Sequence, residues 1–100
     1  MIYNKLVRDK IPEIIHAKGG KPIIHVADDS EYWKKLKEKL IEEVEEFNAS
    51  EAVEEIGDIL EIVDAICAFK NITTAQRDDA KSKKFKERGG FTDKIILDES

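Results

Sequence analysis

Leu40-Ile41-Glu42-Glu43-Val44-Glu45-Glu46-Phe47-Asn48-Ala49-Ser50-Glu51-Ala52-Val53-Glu54-Glu55-Ile56-Gly57-Asp58-Ile59-Leu60, residues 40–60, carries two helical patterns and the break between them. At about 100° per residue, Trp33, Leu36, Leu40, Val44 and Phe47 fall within one arc, the core face of a first long helix. Asp28, Asp29 and Ser30 are its candidate N-caps, and it runs through Asn48. Asn48-Ala49-Ser50 reads as a tight turn with Ser50 as the next N-cap. The second helix then extends from Glu51 to about Lys70, with Val53, Ile56, Ile59, Leu60, Ile62, Val63 and Ile66 on an apolar arc. So short a turn makes the two helices antiparallel neighbours.

Outward from this hairpin the signals are shorter. Pro12 opens a short helix, Glu13 to Lys18, that Gly19-Gly20 ends. Thr73 and Gln76 have capping-box spacing and start a last helix that Gly89-Gly90 closes. Lys21-Pro22-Ile23-Ile24-His25-Val26-Ala27 and Asp93-Lys94-Ile95-Ile96-Leu97 read as short strands, pairing with each other or across a subunit boundary. The expected fold is all-α, of antiparallel helical-hairpin or four-helix-bundle type, with one or two short β segments near the termini. Residues 1–100 form one domain, because a second core does not fit in 100 residues.

The composition narrows the class of function. With 41% hydrophobic and 39% charged residues the chain is apolar enough to collapse, and more charged than the roughly 25% of ordinary domains. No run approaches the roughly 18 apolar residues of a membrane helix, and Met1-Ile2-Tyr3-Asn4-Lys5 lacks the apolar region of a secretory signal. Cys67, a single cysteine, forms no internal disulfide, in keeping with a reducing compartment, so the expected location is the cytoplasm. The net charge of −5 argues against nucleic acid as a partner, and no membrane partner is expected. The charge is also segregated: Glu38 to Asp64 holds 11 acidic residues against Lys39 alone, a local balance of −10. Between Arg77 and Lys94, seven bases outnumber four acids. A core this small buries only about 60 to 70% of the unfolded surface, so oligomerisation is an expected supplement.

The positions of the carboxylates matter more than their number. Lys39, Glu43 and Glu46 follow one margin of the first helix at i, i+4 and i+7, which sets Glu43 and Glu46 about 5 to 6 Å apart at Cβ. On the second helix Glu55 falls inside the apolar arc and Asp58 at its edge, while Glu54 and Glu61 point away. A carboxylate on a packed face costs several kcal/mol unless a counter-charge meets it. The hairpin sets Glu43 and Glu46 opposite Glu55 and Asp58. Four carboxylates without a positioned His or Cys make a hard oxygen site for Mg²⁺ or Mn²⁺ rather than Zn²⁺. A lysine at a subunit interface would answer the charge of Glu55 equally well. Gly57, at a helical cost of about 1 kcal/mol, leaves room for a backbone or substrate between the last two carboxylates.

Glu42-Glu43-Val44-Glu45-Glu46 followed by Glu55-Ile56-Gly57-Asp58 resembles the paired acidic signature of the MazG-like, all-α nucleoside triphosphate pyrophosphatases, relatives of phosphoribosyl-ATP pyrophosphohydrolase and dimeric dUTPase. The resemblance covers nearly the whole chain. Tyr3-Asn4-Lys5-Leu6-Val7-Arg8-Asp9-Lys10-Ile11-Pro12 and Lys84-Phe85-Lys86-Glu87-Arg88-Gly89-Gly90-Phe91 resemble flanking motifs of its small house-cleaning subgroup. The resemblance implies Mg²⁺ held by Glu43, Glu46, Glu55 and Asp58, the catalytic set, and hydrolysis of a nucleoside triphosphate to monophosphate and pyrophosphate. It also implies a homodimer or homotetramer. Only the eight residues Phe47 to Glu54 separate the two motifs, fewer than in larger relatives, a departure that concerns the substrate pocket rather than the metal site.

Lys84 and Arg88, one helical turn apart, are candidates for the leaving pyrophosphate. Lys39 either contacts phosphate or makes an ordinary i, i+4 pair with Glu43. Arg8 and Lys10 either reach the phosphates from the N-terminal arm or bind neighbouring carboxylates. His16 and His25 have no partner at ligand spacing, and Cys67, Trp33 and Phe47 read as core, with Tyr32, Trp33 or Phe47 a lesser candidate for stacking on a base. Two alternatives remain beside a house-cleaning pyrophosphatase: a phosphoribosyl-ATP pyrophosphohydrolase, and a non-catalytic helical module whose acidic ridge serves only for contacts.

Overall fold

The computed structural model describes residues 3–100, so the part of the N-terminal reading that rests on Met1 and Ile2 lies outside the described residues. Among the described residues four helices follow in order: α1 (Ile11–Ala17), α2 (Asp29–Ser50), α3 (Val53–Phe69) and α4 (Thr74–Arg88). No helix among them is long and apolar enough to cross a membrane.

The termini of the helices follow from local chemistry. The Asp28 carboxylate accepts the Glu31 N–H at 2.8 Å and so caps α2. Thr73 and Gln76 form the full capping box that starts α4, with reciprocal bonds of 3.1 and 2.8 Å. After α1, Gly19 takes φ +88° and the Gly20 N–H reaches back to the Ile15 carbonyl at 3.0 Å, the six-to-one bond of a Schellman ending. A Cβ on Gly20 would lie 2.7 Å from Ile15 Cγ2, so a larger residue does not fit there without a shift.

Between α2 and α3 the chain turns later than the sequence suggests. Asn48, Ala49 and Ser50 stay helical, and the reversal falls on Glu51 and Ala52, with Glu51 left-handed at φ +56°. Ala52 is the N-cap of α3, and Ser50 Oγ instead accepts the Ala52 N–H at 3.3 Å. None of the three expected turn residues is a helix breaker, so α2 continues until one residue adopts the left-handed conformation.

α2 and α3 pack along their length as the expected hairpin. At its open end the Trp33 ring stacks on Phe69, with centroids 5.5 Å apart and planes 10° from parallel, and Tyr32 meets Phe69 edge-on at 5.4 Å. Lys37 Nζ and Lys70 Nζ lie 5.1 and 4.5 Å from the Trp33 ring centre. Leu36, one turn further along α2, is wholly buried, the one such apolar side chain among the described residues.

The expected short strands are not formed. Residues 21–27 and 93–97 hold no strand among the described residues, and the second segment begins in a turn, with Lys94 left-handed at φ +59°. Ile23 and Val26 are 100% and 92% exposed, and Ile95 is 81% exposed. Their β-branched residues favour extended backbone, but a strand also needs a neighbour to complete its hydrogen bonds, and Pro22 has no N–H to offer. The apolar arc of α3 is likewise incompletely covered, since Val53, Ile56 and Leu60 face solvent within one chain, as does Val44 of α2.

Candidate metal centre

Near the turn of the hairpin, Glu43, Glu46, Glu55 and Asp58 each place a carboxylate oxygen so that the four atoms lie within 4.8 Å of one another. Glu43 and Glu46 come from one ridge of α2, Glu55 and Asp58 from the facing ridge of α3, as the i, i+3 spacing on each helix requires. Glu43 is the buried member at 6% exposure, Glu55 and Asp58 are half-buried, and Glu46 is open to solvent.

Two cations from this chain reach the cluster. Lys39 Nζ lies 3.3 Å from Glu43 Oε1 and 3.4 Å from Glu42 Oε1, so the i, i+4 pair is made. The Arg8 guanidinium donates from Nη2 to Asp58 Oδ1 at 2.8 Å. Among the described residues, Glu46 and Glu55 make no ion pair. Two cations against four carboxylates leave two negative charges unmatched, the charge of one divalent cation.

Glu43 Oε2 carries the clearest mark of a missing partner, because it is buried and accepts no hydrogen bond from any of the described residues. Burial pushes the Glu43 carboxyl above its usual range, and neighbouring Glu46 adds to the rise, against the smaller pull of Lys39. Glu42, on the outer side, goes the other way. Burial pushes it up, but Lys5 and Lys39 together outweigh that and hold it below the ordinary value. The donor set is oxygen alone, so the residues fit a hard dication such as Mg²⁺ or Mn²⁺.

In the metal-free protein, Glu43→Gln is expected to raise the melting temperature by a few degrees at neutral pH. Between the ordinary Glu value of 4.5 and the raised folded value, the native state binds more protons than the unfolded one. Stability therefore falls as pH rises through that window and stays depressed above it. Glutamine removes the effect, while Lys39 keeps Glu42 as a partner. The gain should vanish as pH is lowered toward 4.5. Melting curves across the acid range check it, and a gain independent of pH would assign it to some cause other than the Glu43 charge.

The remaining candidates are dispersed. Lys10 is exposed at the start of α1, and Lys84 and Arg88 are exposed on α4; none makes an ion pair among the described residues. α4 meets the hairpin instead through Arg77, whose Nη1 donates to Asp64 Oδ1 at 2.7 Å. Asp64, Cys67, Thr73 and Arg77 help to line an open depression of about 440 Å³ there. His25 pairs with Glu31 at 2.9 Å on the surface, and Cys67 is half-buried. Among the described residues, a Cβ on Gly57 would meet nothing within 4 Å, so the space beside it is open. The reading from sequence missed the tether of Lys5 to Glu42 at 3.2 Å and the place of Arg77. Periodicity could not reveal the first, because Lys5 lies on non-helical chain 37 residues from its partner.

No family model matches the chain. No solved structure matches it either. An uncharacterized protein of Mycolicibacterium smegmatis is 51% identical to it over 47 residues, which make up 47% of this chain and 48% of that protein. The match thus spans about half the length of the curated relative.

Proposed function

We propose that the protein is a MazG-like pyrophosphohydrolase that cleaves a nucleoside triphosphate to the monophosphate and pyrophosphate with Mg²⁺, or with Mn²⁺ in its place, clearing unwanted nucleotides. The observation that carries this reading is the convergence of Glu43, Glu46, Glu55 and Asp58 around the unpartnered, buried Glu43 Oε2. The three sequence motifs support it by their resemblance to that family.

In this reading the four carboxylates hold the cation, which when bound supplies an activated water and draws charge from the attacked α-phosphate. Lys39 holds Glu43 Oε1 in place. Arg8 and Lys10 on the N-terminal arm, and Lys84 and Arg88 on α4, supply positive charge for the phosphate oxygens. A pyrophosphate-release screen over standard, deoxy and oxidised nucleotides tests the proposal, with Mg²⁺ and with chelator. Turnover with Mg²⁺ that chelator removes is the expected result. No turnover with any nucleotide, together with no Mg²⁺ binding by calorimetry, would leave a helical interaction module.

The same proposal includes a homodimer or homotetramer. The chain exposes 9095 Å², against about 5,800 Å² for a compact monomer of its mass. Its radius of gyration is 17.7 Å, against about 13 Å for a compact chain of this length. The excess is several times the roughly 800 Å² that each partner buries in a standard interface. A second copy would cover the open stripe of Val53, Ile56 and Leu60 and bring Lys84 and Arg88 of one subunit toward the carboxylates of the other. Arg88→Ala subunits mixed with Glu55→Gln subunits are then expected to recover part of the activity that each lacks. A monomer by sedimentation at micromolar concentration, with full activity, would overturn the assembly.

A further inference from the structure

The N-terminal arm, residues 3–10, lies across the hairpin and is fastened to it by three polar contacts, with Leu6 half-buried. Lys35 Nζ donates to the Asn4 carbonyl at 2.6 Å, Lys5 Nζ to Glu42 at 3.2 Å, and Arg8 Nη2 to Asp58 at 2.8 Å. The first two hold the arm to α2. The third ties it to α3, through one of the four carboxylates that converge near the turn.

We infer that this arm is an exchange strap: Arg8 and a divalent cation are alternative partners of Asp58, and Arg8, once released, becomes the clamp for the substrate's phosphate oxygens. The inference rests on the metal reading above and adds an order of events to it. The Arg8–Asp58 pair is exposed, with side chains 59% and 37% accessible, and such pairs hold weakly. Oxygen ligation of a dication draws on the same carboxylate charge, so the guanidinium yields its place. It does not go far. Asn4 and Lys5 stay fastened, four and three residues upstream of it. The guanidinium is therefore kept at the rim of the cluster, and its planar fork suits two phosphate oxygens better than a lysine would. Before the cation arrives, Arg8 is occupied and the cluster keeps its negative surplus, so a polyphosphate finds no free fork. The strap thereby makes anion capture follow cation capture.

Calorimetry on the full chain with Mg²⁺ alone tests the competition. Arg8→Gln should bind Mg²⁺ roughly five-fold tighter than wild type, the fold-change expected from losing one exposed competing pair. Lys10→Gln removes the same charge from the arm without touching Asp58 and should stay within about two-fold of wild type. With Mg²⁺ at saturation, inorganic tripolyphosphate should bind Arg8→Gln about ten-fold more weakly, as for the loss of a charge-assisted fork. In the wild-type protein, the nuclear magnetic resonance signal of the Arg8 side-chain N–H should move toward that of a free arginine on adding Mg²⁺ and shift again on adding tripolyphosphate. Mg²⁺ affinity unchanged by Arg8→Gln, equal tightening by Lys10→Gln, or an Arg8 signal that ignores Mg²⁺ would each overturn the strap while leaving the metal site standing. Failure of wild type and both variants to bind Mg²⁺ at all would instead overturn the metal reading itself.

Discussion

Glu55→Gln is expected to reduce Mg²⁺-dependent pyrophosphate release by about a thousand-fold or more, the scale of several kcal/mol of transition-state stabilisation by a bound cation. Glutamine keeps the volume and one oxygen but removes the charge that a dication requires. Because Glu55 is half-buried beside three other carboxylates, the substitution also relieves repulsion, so the helical circular dichroism should stay nearly that of wild type. Glu54→Gln and Glu61→Gln are the matched controls. Both side chains are exposed and neither belongs to the four converging carboxylates, and each change should alter turnover by less than a few-fold. A Glu55→Gln protein with full turnover would remove Glu55 from the site. A deep loss in either control would mean that the reactive face of α3 is a different one.

The largest effect on stability is expected at Leu36. It is wholly buried between the aromatic contacts at the open end of the hairpin and the carboxylates nearer the turn, in a chain with little other closed core. Leu36→Ala removes apolar contact and leaves a cavity, a change that costs about 2–5 kcal/mol. Domains of this size have total stabilities near the low end of about 5–15 kcal/mol. Urea unfolding followed by circular dichroism should therefore show the variant largely unfolded, or with its midpoint far below wild type, while Leu36→Met loses less than about 1.5 kcal/mol. A Leu36→Ala midpoint close to that of wild type would mean that the hairpin draws its stability from elsewhere.

The hairpin and the four convergent carboxylates were legible because both follow from one periodicity. Once Trp33, Leu36 and Leu40 fix the inward side of α2, Glu43 and Glu46 can lie only on the neighbouring ridge, and the same holds for Glu55 and Asp58 on α3. The depth of Glu43 was less legible. A residue at the margin of an arc becomes buried only through the facing helix and the arm, which periodicity on one helix does not contain. The late turn at Glu51 was hidden for a related reason, since nothing at Asn48 to Ser50 forbids a helix. Residues 21–27 and 93–97 misled by carrying strand propensity without a strand partner among the described residues. α4 was legible at its ends, through Thr73, Gln76 and Gly89, but not in its position, because its sequence has no apolar stripe to say what it packs against.

Trp33 is the chain's single tryptophan, and it sits at the open end of the hairpin, pressed on Phe69 and flanked by two ammonium groups. Ten residues of helix, about 15 Å, separate it from Glu43. The protein thus carries its own fluorophore at the opposite end of a rigid lever from its acidic cluster. Light emitted by that one ring reports whether the two helices stay closed, so a spectrum taken while charge is added or removed near the turn measures how stiffly the hairpin transmits a push.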